Sequence, residues 1–260
     1  MSSVNKGKKV ALISGGGGGF GSIISKAFLD DGYRIVLTDV SRTRLESVSD
    51  SLHQDTLTFQ ADLSKESEVG KLFHDTVEAA GRIDFLFIGH GVVTGRTLIQ
   101  DTSMEEWNFV VQTNLTGTFL CMRSAMPIMM MNGGGCIISL TTGDAARKGR
   151  TPYVASKLGI EGLTAALSAE AREHNIGVYA VSPGGYAATK FHDNSHSLFG
   201  FKNHTPDEEL RKHVKAVKPE VIVPFCRYAA RDTSLSMSGK TVNALDWNEQ
   251  HGLERSKWYA

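Results

Sequence analysis

Short apolar runs recur along the chain, separated by polar and helical stretches. Six of these runs have the length of a strand, at Val10–Ile13, Arg34–Leu37, Thr56–Gln60, Phe85–Ile88, Cys136–Leu140 and Val178–Val181. Their apolar residues are continuous rather than alternating, which is typical of strands buried on both faces. Strands that alternate with helices form a parallel sheet covered on both sides. The pattern therefore predicts an α/β fold, a doubly wound parallel sheet in three α/β/α layers.

The segments between these strands carry helix start and stop signals. The clearest are a helical pattern over Ser22–Leu29, a cap at Ser64 for a helix that reaches Ala80 and ends at Gly81, and a capping box, Ser103-x-x-Glu106, that opens a helix to Met131. No repeat, low-complexity tract or linker divides the chain. We therefore expect a single domain over residues 1–260.

A run of five glycines, Gly15–Gly19, follows the first predicted strand, and Phe20 and Gly21 come directly after it. A strand that turns through glycines into a helix makes a phosphate-binding loop. Glycine lets the backbone approach a pyrophosphate, and the first N–H groups of the helix carry partial positive charge. The run fits two registers of a dinucleotide-binding fingerprint, Gly16-x-Gly18-x-x-Gly21 and Gly15-x-x-x-Gly19-x-Gly21.

An acidic residue, Asp39, stands at the end of the second predicted strand. In doubly wound sheets, ligands bind beyond the carboxyl ends of the strands. A carboxylate there accepts hydrogen bonds from both hydroxyls of the adenosine ribose and repels a 2′-phosphate. The sequence thus favours NAD over NADP, although the nearby cation Arg42 weakens that preference.

A tyrosine and a lysine, Tyr153 and Lys157, follow the fifth predicted strand and its loop. Positions i and i+4 share one face of a helix, so the phenol and the ammonium can approach one point. The unperturbed pKa of tyrosine is near ~10, and a neighbouring cation lowers it by stabilising the phenolate. The pair is therefore a candidate acid/base group.

With these residues the chain resembles the short-chain dehydrogenase/reductase family, whose domain is Rossmann-like, from about Lys8 to Asp246. The resemblance adopts the Gly15, Gly19, Gly21 register and includes Asp39 and the Tyr153/Lys157 pair. Further matching segments are Asp62-Leu63 after the third strand, Asn114-Leu115-Thr116-Gly117, and Ser182-Pro183-Gly184 after the sixth strand.

The resemblance implies an NAD-dependent oxidoreductase that transfers hydride between the nicotinamide and a carbon bearing a hydroxyl or carbonyl group. Tyr153 would exchange the proton, Lys157 would lower the pKa of Tyr153 and bind the nicotinamide ribose, and Asn114 would hold a water that links Lys157 to solvent. The implied cofactor-binding residues are Gly15, Gly19, Phe20, Gly21, Asp39, Asp62, Leu63, Gly89, Tyr153, Lys157, Pro183 and Gly184. The family also implies a homodimer or homotetramer.

Of the motifs that depart from the family pattern, two bear on the expected active site. The polarising serine is replaced by Thr142, closer to Tyr153 than usual, with Thr141 as the alternative by spacing. The Asn-Asn-Ala-Gly segment after strand four reads Ile88-Gly89-His90-Gly91, where His90 either faces the ribose or substrate and titrates near neutrality, or packs locally. These departures motivate one alternative, a catalytically decayed NAD-binding sensor or scaffold. A second alternative is an isomerase or lyase that uses bound NAD transiently.

The substrate is specified only by candidate residues around the expected pocket. They are His90, Arg96, Arg150, Tyr186 and His192, with a substrate loop at about 185–216. Arginine matches carboxylate, phosphate or sulfonate oxygens, so a polar or anionic small molecule is one option. A C-terminal tail at 247–260 ends in aromatic residues that we expect to cover a neighbouring subunit.

Composition and charge narrow the partners. The chain has 28 Lys and Arg residues and 28 Asp and Glu residues, so its zero net charge gives no attraction to nucleic acid or to an anionic membrane. No apolar run reaches membrane-spanning length, and the first residues lack a signal-peptide core. Three widely spaced cysteines without a CxxC pair indicate reduced thiols and no metal site. We expect a cytoplasmic enzyme.

Overall fold

Seven parallel strands form one sheet in the computed structural model, which describes residues 7–52, 56–143, 148–185 and 216–260. The strands follow the order β3-β2-β1-β4-β5-β6-β7 and are β1 (Val10–Ser14), β2 (Arg34–Asp39), β3 (Thr56–Gln60), β4 (Phe85–Ile88), β5 (Gly135–Leu140), β6 (Ile176–Ser182) and β7 (Thr241–Asn243). This order is that of a Rossmann-like doubly wound sheet, as predicted. The prediction of six strands is wrong by one, because β7 has three residues and only Val242 is apolar.

Helices cover both faces of the sheet. The α-helices of the described residues are α1 (Gly19–Asp30), α2 (Arg42–Leu52), α3 (Glu66–Ala80), α4 (Met104–Val111), α5 (Gly117–Met131), α6 (Thr151–Ala171), α7 (Val223–Ala229) and α8 (Ala244–Gln250). A π-helical segment, Gln112–Thr116, joins α4 to α5. Short 3₁₀ turns lie at Ile99–Asp101, Arg172–His174, Pro219–Ile222 and Arg255–Trp258. None of the described helices combines the length and the apolarity that crossing a membrane requires.

The structure agrees with the predicted helix ends at Ser103, Gly81 and Met131 but not with the one at Ser64. Ser103 caps α4, because its hydroxyl accepts a hydrogen bond from the Glu106 N–H. The long helix made of α4, the π-helical segment and α5 ends at Met131, as predicted. Gly81 ends α3 in the left-handed conformation that favours glycine. The predicted cap at Ser64 is wrong, because its N–H and hydroxyl both donate to the Asp62 carboxylate and α3 begins only at Glu66.

Strand residues alternate between two apolar layers. Ala11 and Ile13 face the layer that α1 and α7 cover, whereas Val10 and Leu12 face the layer beneath α3 and α5. Large aromatic side chains fill the first layer, where Phe28 stacks on Phe85 with ring centroids 3.9 Å apart. Both faces of the sheet are therefore buried.

The C-terminal tail returns to its own domain. Val217 and Tyr259 form an antiparallel bridge, and the Lys218 N–H donates to the Trp258 carbonyl at 2.7 Å. Trp258 and Tyr259 pack against the first apolar layer. These aromatic residues therefore contact their own chain, and the expectation that they also cover a neighbouring subunit stays a prediction.

Candidate active site

The sheet register gathers four strand ends at one edge. Ser14 lies opposite both Thr38 and Ile88, and Ile88 lies opposite Ser139. The residues that follow in each chain segment are Gly15, Asp39, Gly89 and Leu140. The glycine turn, the acidic strand end and the loop after β4 therefore meet where the order of the strands reverses. In a doubly wound sheet this is the ligand-binding edge.

The glycine turn matches the Gly15, Gly19, Gly21 register. Gly15 has φ of +64°, and a Cβ there would lie 2.9 Å from the carbonyl atoms of Gly89. A Cβ on Gly21 would lie 2.2 Å from the Gly15 oxygen. Gly19 is the first residue of α1, and Phe20 packs against the first apolar layer. Gly18, the residue before α1, has no side chain that could cap the helix, so the first N–H groups of α1 depend on another partner.

Asp39 is enclosed by donors from three sides. Its Oδ2 accepts from the Gly17 N–H at 3.2 Å, and its Oδ1 accepts from the Ser41 N–H at 2.9 Å and from Nη2 of Arg44 at 2.7 Å. Arg42, the cation that the sequence brought to attention, instead pairs with Glu46 on the exposed side of α2. The charge beside Asp39 is therefore Arg44.

Asp62 and Leu63 follow β3 as expected. Leu63 is buried, and the Asp62 N–H donates to Glu68 at 2.8 Å. Burial raises the pKa of the Asp62 carboxyl, but hydrogen bonds from Ser64 and the nearby Lys65 outweigh it and hold that pKa below its ordinary value. The carboxylate is thus ionised and anchored to its own turn.

His90 links the loop after β4 to the end of β1. Its Nδ1 lies 2.8 Å from the Ser14 hydroxyl, and its Nε2 is buried beside Gly117, where a Cβ would approach that nitrogen to 2.8 Å. Burial, aided by the positive charge of Lys157, lowers the pKa of His90 to about 4. The ring is therefore neutral at pH 7. Of the two interpretations, this geometry is that of local packing, and a contact with substrate stays a prediction.

Asn114 lies in the π-helical segment and is fully buried. Its Oδ1 accepts from the Val92 N–H at 2.7 Å, and its Nδ2 donates to the Val92 carbonyl at 2.9 Å and to the Ser156 hydroxyl at 3.0 Å. Both amide protons are therefore used in holding the loop after β4 and helix α6. The water-binding role that the family resemblance implies stays a prediction, with one Oδ1 lone pair to serve it.

Tyr153 and Lys157 lie one helical turn apart at the start of α6. Nζ of Lys157 is 5.9 Å from the centroid of the Tyr153 ring and donates to the Leu140 carbonyl at 2.8 Å. A Cβ on Gly91 would lie 3.5 Å from the same Nζ, an ordinary contact distance, and 3.1 Å from Oδ1 of Asn114, so Gly91 lies against both side chains. Burial lowers the pKa of Lys157 to about 8.

The two threonines after β5 have different surroundings. The Thr141 hydroxyl lies 3.0 Å from the Lys157 carbonyl oxygen and 2.9 Å from Oε1 of Glu161, so it faces α6. Thr142 follows it and is 9% exposed. Gly143 next to it approaches the end of β6, since its Cβ would lie 3.1 Å from the Ser182 hydroxyl oxygen. The Thr141 hydroxyl is therefore used in hydrogen bonds to α6, and Thr142 remains the candidate to face a substrate.

The remaining predicted residues differ in burial, and some of them lie outside the described residues. Pro183 is buried, and Gly184 has φ of +81° where the chain passes Asn243. Arg150 is 5% exposed and donates to the Thr94 carbonyl, so it lies inside the loop packing. Arg96 is exposed. Tyr186 and His192, with nearly all of the predicted substrate loop, lie outside the described residues.

Sequence reasoning missed three partners of the predicted residues: Arg44 beside Asp39, Ser14 beside His90, and Ser156 beside Asn114. Ser14 carried a signal, because it directly follows the apolar part of β1 and so ends at the ligand edge. Arg44 and Ser156 carried none, since each depends on which side of a helix faces the site.

Fold and site together define a class: a doubly wound α/β protein with a Tyr/Lys pair at the carboxyl edge of its sheet. The sequence profile of the short chain dehydrogenase family matches residues 9–197. The chain therefore belongs to the short-chain dehydrogenase family, and it is an oxidoreductase of that family.

Individual relatives agree with this membership. A short-chain dehydrogenase/reductase of Armillaria gallica is 31% identical over 254 residues, which cover 93% of this chain and 95% of the relative. A 3-oxoacyl-(acyl-carrier-protein) reductase of Staphylococcus epidermidis is 31% identical over 68% of this chain and 74% of its own. The crystal structure of levodione reductase superposes with a TM-score of 0.81 at 25% identity, over 90% of this chain and 95% of its own.

A further solved structure shares the fold. The 3-ketoacyl-(acyl-carrier-protein) reductase of Brucella melitensis, complexed with NADH, superposes with a TM-score of 0.79 at 23% identity. The superposition covers 93% of this chain and 97% of that one.

Proposed function

We propose that this protein is an NAD-dependent dehydrogenase or reductase that interconverts a secondary alcohol and a carbonyl compound. The observation that carries the proposal is the buried Lys157 ammonium beside Tyr153, at the edge where the glycine turn and the loop after β4 meet. The substrate is a small molecule. A polar or anionic one is compatible with Arg96, which is exposed in the loop after β4. NAD is the preferred cofactor and NADP the less favoured one.

The residues at this edge fit a nicotinamide dinucleotide. The glycine turn brings backbone close to backbone, and α1 starts after Gly18, which cannot cap it, so its first N–H groups can receive the pyrophosphate. Asp39 is placed for the adenosine ribose, and Lys157 for the nicotinamide ribose. The rest of the dinucleotide would be lined by Leu63, Gly89, Pro183 and Gly184. When bound, the nicotinamide supplies or takes up the hydride.

Tyr153 carries the proton in this proposal. Its phenol takes the alcohol proton during oxidation and returns one to the carbonyl oxygen during reduction. The Lys157 ammonium stabilises the phenolate electrostatically, and at pH 7 it is mostly protonated because its pKa is about 8. Thr142 donates a hydrogen bond to the substrate oxygen. Asn114 positions the loop after β4 relative to α6 through Val92 and Ser156.

We also propose a homodimer or homotetramer that acts in the cytoplasm. An apolar groove runs between α5 and α6 and is lined by Leu115, Phe119, Gly159, Gly162 and Leu163. Phe119 and neighbouring Leu158 are each 43% exposed, and a partner subunit would cover them. Light scattering in solution tests this proposal, and a monomer at micromolar concentration would refute it.

The catalytic proposal is tested by separating binding from turnover. NADH binding is followed by fluorescence titration, and turnover is followed by NADH absorbance with a panel of carbonyl compounds and alcohols. Tyr153→Phe should bind NADH as the wild type does and lose turnover by at least about a hundredfold. Tyr33→Phe, a half-buried tyrosine behind α1, is the matched control. Retained turnover in Tyr153→Phe would refute the acid/base assignment.

The same experiment addresses the alternative functions. NADH binding without turnover on any compound would favour the sensor or scaffold, for which the replacement of the polarising serine is the motivating observation. A product isomeric with its substrate would favour an isomerase, and elimination that splits the substrate into an unsaturated product and a leaving group would favour a lyase, in both cases without net NADH change.

A further inference from the structure

Arg44 lies over the carboxylate that the proposed function assigns to the adenosine ribose. Its Nη2 is 2.7 Å from Oδ1 of Asp39, with the Arg44 side chain 27% exposed and that of Asp39 7% exposed. The Nε of the same guanidinium is buried and has no hydrogen-bond partner among the described residues. Arg44 thus has a donor that this part of the chain leaves unused, beside the ligand edge.

Arg44 also touches the glycine turn. A Cβ on Gly17 would lie 2.5 Å from the Cβ of Arg44 and 3.2 Å from Oδ2 of Asp39. The Gly17 N–H donates to that oxygen. The turn, the carboxylate and the guanidinium therefore form one cluster at the ends of β1 and β2. A dinucleotide whose pyrophosphate lies on the turn brings its adenosine ribose to this cluster.

The acceptor capacity of Asp39 is largely occupied. A carboxylate offers about four lone-pair sites, and Gly17, Ser41 and Arg44 donate to three of them. The ribose of NADH has two hydroxyls near this point, so Arg44 must give way before Asp39 can accept from both. A 2′-phosphate has the opposite demand, because its oxygens accept from a guanidinium and are repelled by a bare carboxylate.

We propose that Arg44 is a specificity-determining residue of the cofactor site. It neutralises Asp39 and donates to the 2′-phosphate, so the protein binds NADPH as well as NADH. The ratio of the NADPH to the NADH dissociation constant is then smaller than it would be with Asp39 alone. This inference rests on the proposed function, because it requires an adenosine ribose at the end of β2.

The test compares the dissociation constants of NADH and NADPH, measured by fluorescence titration of the intact protein at fixed ionic strength. In the wild type we expect the two constants to lie within about tenfold of each other. Arg44→Ala should weaken NADPH binding by about tenfold or more and leave NADH binding unchanged or tighter. Added salt should weaken NADPH binding more in the wild type than in this variant.

Arg42→Ala is the matched control. Arg42 lies on the same helix, its side chain is 77% exposed, and it pairs with Glu46 away from the site. Its removal should change neither constant by more than about twofold. Arg44→Lys keeps the charge without the planar fork and should give intermediate NADPH binding. It also carries the test if Arg44→Ala does not fold.

The possible results separate the two proposals. If NADH binds and the NADPH/NADH ratio of constants is the same in Arg44→Ala as in the wild type, Arg44 does not set specificity, and the proposed function stands. If the wild type does not bind NADPH at all, the inference is equally overturned. If neither dinucleotide binds the wild type, the proposed function fails and this inference fails with it.

Discussion

Asn114 and Val92 are joined by two hydrogen bonds, one in each direction. The side-chain amide of Asn114 accepts from the Val92 N–H at 2.7 Å and donates to the Val92 carbonyl at 2.9 Å, much as a neighbouring strand would. Within the described part of the chain no strand lies beside the loop after β4 at this point, so one buried side chain takes the place of a backbone partner. This side chain therefore couples the long helix to the loop that borders the site.

We expect Asn114→Ala to lower the free energy of unfolding by about 3 kcal/mol, because the N–H and carbonyl of Val92 stay buried without a partner. Urea unfolding measures this loss. Asn132→Ala is the control, since its half-buried amide donates once, to the Ile83 carbonyl, and its loss should cost about 1 kcal/mol. Equal losses in the two variants would contradict the coupling role of Asn114.

Substitution of the two adjacent threonines should affect different properties, turnover for Thr142 and stability for Thr141. Thr142→Val removes the proposed donor to the substrate oxygen and should lower turnover by about a hundredfold or more. Thr141→Val removes a hydrogen bond to α6 and should cost about 1 kcal/mol of stability with most of the turnover retained. Steady-state kinetics and urea unfolding of both variants give the comparison. The reverse pattern would assign the substrate contact to Thr141.

His90 should make the protein acid-sensitive. Its pKa is about 4 in the folded chain and near ~6.5 when unfolded, so below pH 6.5 the unfolded chain binds a proton that the folded chain does not. The stability is fully present above pH 6.5 and is lost as the pH falls toward 4, by on the order of 3 kcal/mol.

Unfolding in urea at pH 7 and pH 5 tests this dependence on His90. His90→Ala should lose much less stability between the two pH values than the wild type does. His74→Ala, which changes an exposed imidazole on α3, should behave as the wild type. An unchanged pH dependence in His90→Ala would show that other groups cause the acid sensitivity.

Removal of the last three residues, Trp258–Ala260, should affect the substrate more than the cofactor. Their backbone pairs with residues 216–218, at the C-terminal end of the predicted substrate loop. We expect a higher KM for the carbonyl substrate, an unchanged NADH dissociation constant and a loss of about 2 kcal/mol from uncovered aromatic packing. Lys257→Ala, an exposed position in the same tail, is the control. A weakened NADH affinity with normal KM would place the tail's influence at the cofactor instead.

The sequence predicted the parts of the fold that depend on apolar runs. Five of the six longer strands follow from nearly continuous burial, whereas β3 is half-buried or exposed along its length. Gly81 and Ser103 mark helix ends because their conformations or hydrogen bonds are local. Strand β7 was missed because its single apolar residue gives no pattern. Ser64 was wrongly taken as a cap because a serine next to Asp62 has a second partner, and only the folded turn shows which one it takes.

The site was less predictable than the fold. Spacing alone indicated Asp39, Tyr153 and Lys157, because each stands next to a strand end or one helical turn from a partner. Whether Arg42 or Arg44 faces Asp39 depends on the rotation of α2, which its weakly apolar sequence does not fix. The neutral state of His90 depends on its burial and on Lys157, a residue far away in the chain.

The π-helical segment Gln112–Thr116 sets the rotational phase of the long helix. A π turn closes its hydrogen bonds one residue later than an α turn, so it accommodates an extra residue, and one residue of α-helix corresponds to about 100° of rotation. Val110 and Leu120 on either side stay in the core while Asn114 between them faces Val92. A one-residue deletion in this segment would restore a regular α-helix whose two halves keep their faces, but it would remove or shift the residue between them that faces Val92. Sequence alignments across this helix must therefore place insertions and deletions outside the segment for Asn114 to retain its geometry.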